Sequence, residues 1–209
     1  MNILLVSNSS DLYGASRSLL RLATRLKERG HQPLVLLPDT GPLGGRLRSA
    51  GVRSVLFPSL RVITRPVLAS WRLLPWLAGF LPSAIALAQL IKREKIDIVH
   101  TNTGVIVSSA LAARFAGRPH VWHIRDWFQE FGPLWKPYSR YILANSSRVL
   151  CVSEAIAGQF PPSEKIEVLN NGFDLAEFPE PDNSERAAAK TAWGLQNDEL
   201  VVGAVGRIK

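Results

Sequence analysis

Apolar residues occur along this chain in short bursts, separated by longer intervals in which they recur every three or four positions. The bursts run from Asn2 to Val6, Pro33 to Leu37, Arg53 to Phe57, Ile96 to His100, Pro119 to Ile124, Arg148 to Val152 and Ile166 to Leu169. Runs this short and this apolar are strands covered on both sides, and the helical intervals supply the crossovers between them. The predicted fold class is therefore α/β, a Rossmann-like parallel sheet with helices on both faces. The first helix is the clearest: Leu19, Leu22, Ala23 and Leu26 share one side, while Arg17, Arg21, Arg25 and Lys27 decorate the other. Ser16 is its predicted N-cap and Gly30 its stop.

One interval departs from the pattern. From Leu73 to Ile91 there is no charged residue, a length that raises the question of a membrane span. Pro75, Gly79 and Pro82 oppose one straight helix, so the reading is two helical pieces, around Arg72 to Phe80 and from Ser83 to Arg93. The first piece carries Trp71 and Trp76 beside Arg61, Arg65 and Arg72. That mixture suits a helix lying in a bilayer interface, or a core helix whose arginines face water.

Near the end, the Pro/Asp/Glu-rich stretch from Phe178 to Glu185 reads as a linker. Leu200 to Arg207 then opens a fresh apolar strand. The expected organisation is a first domain over residues 1–178, a linker and helix over 179–199, and the first strand of a truncated second domain over 200–209.

Composition adds the compartment and the charge. The 209 residues are 46% hydrophobic and 20% charged, a balance that builds a core. Cys151, the single cysteine, sits in an apolar run and reads as a buried inert thiol. No disulfide is possible, which fits a reducing cytosol. The first apolar run lacks a basic leader, so a strand is expected there and not a signal peptide. Between Arg46 and Lys95, nine cations face Glu94 alone, within a formal net charge of +8. A patch that basic suits an anionic surface, lipid or nucleic acid, or else a solvated face. No nucleic-acid-binding motif accompanies it, so no nucleic-acid partner is expected.

Open parallel sheets hold ligands beyond the carboxyl ends of their strands, which selects three loops. Ser7 to Ser16 places Gly14 at a helix entrance, where backbone N–H groups suit a phosphate, or where the chain simply turns. Thr101-Asn102-Thr103-Gly104 offers hydroxyls and an amide to a sugar, or caps the next helix. His123-Ile124-Arg125-Asp126-Trp127 is the densest chemistry, able to orient a nucleophile or pin an anion; the alternative is an Arg125–Asp126 surface pair beside a structural histidine. His31, His100 and His120 read as structural, Ser153-Glu154 as a helix-cap pair, and no histidine shows metal-ligand spacing. The absence of Gly-x-Ser-x-Gly, P-loop and Cys-x-x-Cys patterns excludes the usual hydrolase, nucleotide triphosphatase and thioredoxin readings.

Taken in order, Gly14, Arg29-Gly30-His31, Asp97-Ile98-Val99-His100, His123, Val152-Ser153-Glu154, Asn171-Gly172-Phe173-Asp174 and Val205-Gly206-Arg207 resemble the amino-terminal half of the GT-B retaining glycosyltransferases of family 4. The resemblance implies a two-domain enzyme that moves a sugar from a nucleotide-sugar donor to a glycan or lipid-linked acceptor with retention. It implies that Gly14, Ala15 and Arg207 meet the donor diphosphate and that His123 lies beside the transferred sugar as the catalytic-site residue. Asn102, Thr103, Arg125 and Asp126 fall on the acceptor side, and Asn171 and Gly172 between the domains. Such enzymes are metal-independent, so no cofactor is expected. Many glycosylate lipid-linked acceptors at the cytoplasmic leaflet, which agrees with a cytoplasmic protein held peripherally on an anionic inner-membrane face by Arg61, Arg65, Trp71, Arg72 and Trp76. The chain departs from the pattern at Ala15, where relatives have a second glycine, at Asn170, where they have proline, and at Lys209, which lies too near Arg207 to be their phosphate-binding lysine. By itself the chain is expected not to transfer sugar. The other readings are a basic membrane-binding module without catalysis and a GT-B sugar-nucleotide epimerase.

Overall fold

The computed structural model describes residues 1–68, 70–172, 179–196 and 198–203. The chain divides into two compact units, Met1–Asn171 and Gly172–Lys209.

The first unit is built on seven parallel strands: β1 (Asn2–Val6), β2 (Gln32–Leu37), β3 (Arg53–Leu56), β4 (Ile98–Thr101), β5 (His120–Ile124), β6 (Arg148–Cys151) and β7 (Ile166–Val168). Their order across the sheet is β3-β2-β1-β4-β5-β6-β7. Chain direction reverses its march between β3 and β4, so β1 and β4 are neighbours. Each strand tip at that junction opens into a loop, which is where such sheets place ligands.

Alternation along β1 shows how the sheet is sealed. Ile3 and Leu5 pack with Leu19 and Ala23 of α1 (Gly14–Glu28) and Leu43 and Leu47 of α2 (Pro42–Ser49). Leu4 and Val6 pack on the other face with Leu87 and Ile91 of α5 (Phe80–Arg93) and Ala112 and Ala113 of α6 (Ser108–Phe115). A side-chain period of two thus serves both layers. A third cluster under β5 and β6 gathers Trp122, Ile124, Val149 and Cys151 against Trp135 and Ile142 of α7 (Trp135–Ala144) and Phe160, which follows α8 (Glu154–Ala157). Trp122 is fully buried, and its Nε1 donates to the Thr103 carbonyl at 2.7 Å.

Strand positions match the apolar bursts, with one instructive difference. Ile96 was expected to begin β4 but instead closes α5: its amide donates to the Ile91 carbonyl, and Lys95 beside it has φ 52°. A buried apolar residue after a left-handed residue is how many helices end, and periodicity cannot separate it from a strand start. The N-cap of α1 also differs. The cap is Tyr13 without a side-chain bond, and Ser16 lies buried inside the first turn, donating to Asp11 Oδ1 at 2.8 Å. Asp11 takes the Tyr13 amide as well, so the loop satisfies itself before the helix begins.

The uncharged interval is two helices, α4 (Leu73–Ala78) and α5, parted at Gly79, after a short α3 (Arg65–Leu68). The α5 helix buries Ala84, Leu87, Leu90 and Ile91 in the core, whereas α4 buries none of its residues. Trp71, Leu74, Leu77 and Leu81 stand exposed at 75%, 71%, 53% and 50%. Arg72 is exposed among them. Arg61 and Trp76 turn toward the protein instead: the Arg61 guanidinium lies against Gly79, and Trp76 stacks on Phe80 while its Nε1 donates to the Val62 carbonyl. The side chain of Arg65 lies outside the description.

In the second unit, α9 (Asn183–Ala192) starts on a capping box formed by Asp182 and Glu185. Leu200 to Gly203 carries no regular structure. The rest of the expected strand, Arg207 included, and Phe173 to Phe178 lie outside the described residues.

Candidate functional site

The loops after β1, β4 and β5 are sewn together by side chains. Asn102, only 1% exposed at the tip of β4, donates through Nδ2 to the Ala15 carbonyl at 2.9 Å. Its Oδ1 accepts from Arg125 Nε at 3.3 Å. Arg125 Nη2 reaches Ser18 of α1 at 3.0 Å and His123 Nδ1 at 3.2 Å, and Nη1 reaches Asn171 Oδ1. The entrance of α1, the tip of β4 and the end of β5 therefore hold a fixed geometry. Gly14 opens α1 after the loop that leaves the carboxyl end of β1, and His123 lies near the carboxyl end of β5, with only β4 between those two strands.

Asn102 and Thr103 do not cap α6. That helix begins at Ser108 with Val107 as its N-cap, five residues farther on, so the capping alternative fails. Thr103 is buried and its hydroxyl donates to Asp126 Oδ2 at 3.3 Å. Gly104 is required by packing, because a methyl group there would run into the Phe128 ring. Gly14 is different: nothing lies within 4 Å of where its Cβ would stand. Gly14, Asn171 and Gly172 are exposed.

His123 is 6% exposed, and its ring centroid lies 5.6 Å from that of His100. Burial, then the Arg125 cation and His100, push its pKa down to about 3. Burial and Arg125 hold His100 at about 4. Both imidazoles are neutral at pH 7, which suits a ring that exchanges hydrogen bonds and not charge. Burial also lowers the pKa of Arg125, with Asp126 acting in the opposite sense.

A hollow of about 420 Å³ opens beside this network. Asn8, Thr103 and Asp126 give it polar atoms, and Ile63, Trp127 and Phe131 give it apolar walls. Aromatic walls with a carboxylate and an amide are what a sugar ring needs, since sugars present both C–H faces and hydroxyl edges. A second hollow, of about 440 Å³, lies at the amino ends of the strands. Its cations are spent: Lys27 donates to the carbonyls of Ala50 and Gly51, and Arg53 pairs with Glu94. Among the described residues no group of three or more His, Cys, Asp or Glu is placed to hold a metal ion.

Sequence reasoning missed Gln159. Its side chain accepts from the Phe128 amide at 2.7 Å and donates to the Asp126 carbonyl at 3.1 Å, clamping the loop after β5. A buried glutamine in the run Ala155 to Phe160 was the available signal. Ser18 was missed too, because nothing local marks it as a partner of Arg125.

The model of the family described as Glycosyltransferase Family 4 matches residues 13–177. A relative, the UDP-Gal:alpha-D-GlcNAc-diphosphoundecaprenol alpha-1,3-galactosyltransferase of Escherichia coli, is 32% identical over 147 residues, which is 60% of this chain and 36% of that protein. Among solved structures, HepE of Anabaena in complex with UDP and glucose is similar with a TM-score of 0.68 at 22% identity, over 93% of this chain and 50% of that one. A glycosyltransferase from Rickettsia africae gives 0.65 at 18%, over 94% and 50%. These likenesses establish the fold as GT-B-like. The chain spans about a third of the Escherichia coli relative and half of the two solved structures.

Proposed function

The chain belongs to glycosyltransferase family 4, and from that we propose that the protein carrying it transfers a sugar from a nucleotide-sugar donor to a glycan or lipid-linked acceptor, retaining anomeric configuration. The observation that carries this reading is the empty space at Gly14. Its backbone is not left-handed and no neighbour crowds it, so nothing within the described residues demands glycine there. Close approach of a ligand would. The first-turn amides of α1 suit a diphosphate, and a bare Cα lets it come near.

In this reading residues 1–178 form the acceptor-side domain, 179–199 a linker and helix, and 200–209 the start of a donor-binding domain. Gly14, Ala15 and Arg207 face the donor diphosphate, the arginine stabilising the leaving group so that no metal is needed. His123 stands beside the transferred sugar. The acceptor enters the hollow at Thr103 and Asp126, whose carboxylate accepts from sugar hydroxyls, while Asn102 and Arg125 act on the same acceptor side by holding the loops after β1, β4 and β5 together. Asn171 and Gly172, near the end of the first domain, have an interdomain role in this reading. HepE was solved with UDP and glucose, which supports a uridine nucleotide sugar. The Escherichia coli relative acts on a diphosphoundecaprenol-linked acceptor, which supports a lipid-borne one. The exposed ridge of Trp71, Arg72, Leu74, Leu77 and Leu81 supports a peripheral position on an anionic inner-membrane face, with the hollow near the acceptor's headgroup.

The test is a transfer assay of the whole protein against a panel of nucleotide sugars, with product read by mass. Mass gain on an acceptor is the expected result. Conversion of the nucleotide sugar to an isomer of equal mass, resolved by chromatography, without any acceptor product would instead favour an epimerase, and vesicle binding with no turnover a membrane module.

A further inference from the structure

We infer that Arg125 is a positioning residue, which fixes His123 as the neutral imidazole with its proton on Nε2 and so presents a hydrogen-bond donor at the tip of β5. The inference rests on the transferase reading only for what that donor meets. A guanidinium has five N–H donors and no acceptor. Nη2 of Arg125 lies 3.2 Å from His123 Nδ1, so Nδ1 must offer its lone pair. A neutral imidazole has one ring proton, which is then on Nε2. The doubly protonated ring would set N–H against N–H.

The guanidinium cannot swing aside to relieve that conflict. Nε is engaged by Asn102, Nη1 by Asn171, and Nη2 by Ser18 as well as by the ring. Four of its five N–H groups are committed, to residues from α1, the loop after β4, β5 and the end of the first unit. His123 Nε2 is buried and has no partner among the described residues. A buried donor with nothing to donate to is costly, and chains keep such groups where a ligand supplies the acceptor. The acceptor it suits is an oxygen carrying a lone pair, such as a sugar hydroxyl. Burial, Arg125 and His100, the groups that face the ring, all act against its protonation.

The experiment is imidazole nitrogen NMR on the 209-residue chain labelled with ¹⁵N-histidine, with the His123 signals identified by their loss in His123→Gln. The expected spectrum is one tautomer, protonated at Nε2, unchanged from about pH 8 down to about pH 5. Arg125→Met should mix the tautomers and raise the protonation midpoint by about 1 pH unit, since both donor and charge are gone. Arg125→Lys should mix the tautomers while the midpoint stays low, because the charge remains and the fork is lost. A proton found on Nδ1 in the unaltered chain overturns the inference without need of any variant. So does an Arg125→Met spectrum identical to that of the parent. Because no donor or acceptor is present, the result is independent of transfer: the correct tautomer in a protein with no turnover would sink the enzyme reading and leave the role of Arg125 standing.

Discussion

Gly104 lies so close beneath Phe128 that an alanine methyl there would overlap the ring. The ring has nowhere to go. It is stacked between Phe131 and Trp135, each at 5.5 Å, and its own amide is held by Gln159. Gly104→Ala is expected to destabilise the chain by about 1–3 kcal/mol, the usual range for overpacking a filled core. Urea unfolding measures it, and an unchanged midpoint would mean that the stack yields more easily than its packing implies.

Gly14→Ala should behave in the opposite way. With open space around it and a helical position to fill, the alanine leaves the unfolding midpoint unchanged or raises it slightly. In the whole protein the same substitution is expected to weaken nucleotide-sugar binding by about tenfold or more, a loss of about 1.4 kcal/mol. Calorimetric titration with the donor checks this, and unaltered affinity would remove Gly14 from the diphosphate site.

Acid should weaken the fold through its buried histidines. In the unfolded chain a histidine takes up its proton near pH 6.5. In the folded chain burial, above all, delays protonation to about 4 for His100 and about 3 for His120 and His123. Their contribution is therefore complete above pH 6.5 and is lost as pH falls from there toward 4 and 3. Stability followed by urea midpoints from pH 7.5 to 4.5 should fall with a slope approaching about three protons. His120→Gln should reduce that slope by about one, and a flat profile across this window would contradict the burial of the rings.

The exposed ridge gives a binding prediction. Vesicles containing anionic lipid should capture the chain, less so as salt rises, and neutral vesicles should capture it weakly. Trp71→Ser combined with Leu74→Ser should cut capture several-fold without moving the thermal midpoint, since both side chains are exposed. Equal capture by neutral vesicles would rule out the electrostatic contribution.

Cys151 should resist alkylation in the folded chain. The thiol is buried, and burial pushes its pKa up to about 11, so little thiolate forms near neutrality. Labelling followed by mass is expected to proceed only as fast as unfolding. Rapid labelling under native conditions would show that β6 opens locally.

Seven strands, their parallel direction and a break within the uncharged interval follow from local pattern, because a doubly covered strand or a two-part helix writes its burial into adjacent residues. The break itself falls at Gly79 and not between Phe80 and Ser83, because Pro82 is tolerated in the first turn of α5. The strand tips as places for chemistry also follow from local pattern, once the sheet is known to be parallel. Ile96 escaped that logic, since an apolar helix cap and an apolar strand start look alike in one dimension. The roles of Ser18, Gln159 and Arg125 belong to the tertiary structure alone. Whether a guanidinium at the end of β5 faces solvent or ties Ser18, Asn102, His123 and Asn171 together depends on which loops the order β1-β4-β5 brings side by side. A hydrogen bond acts over about 3 Å, so only the folded chain can decide which of its distant residues stand that close.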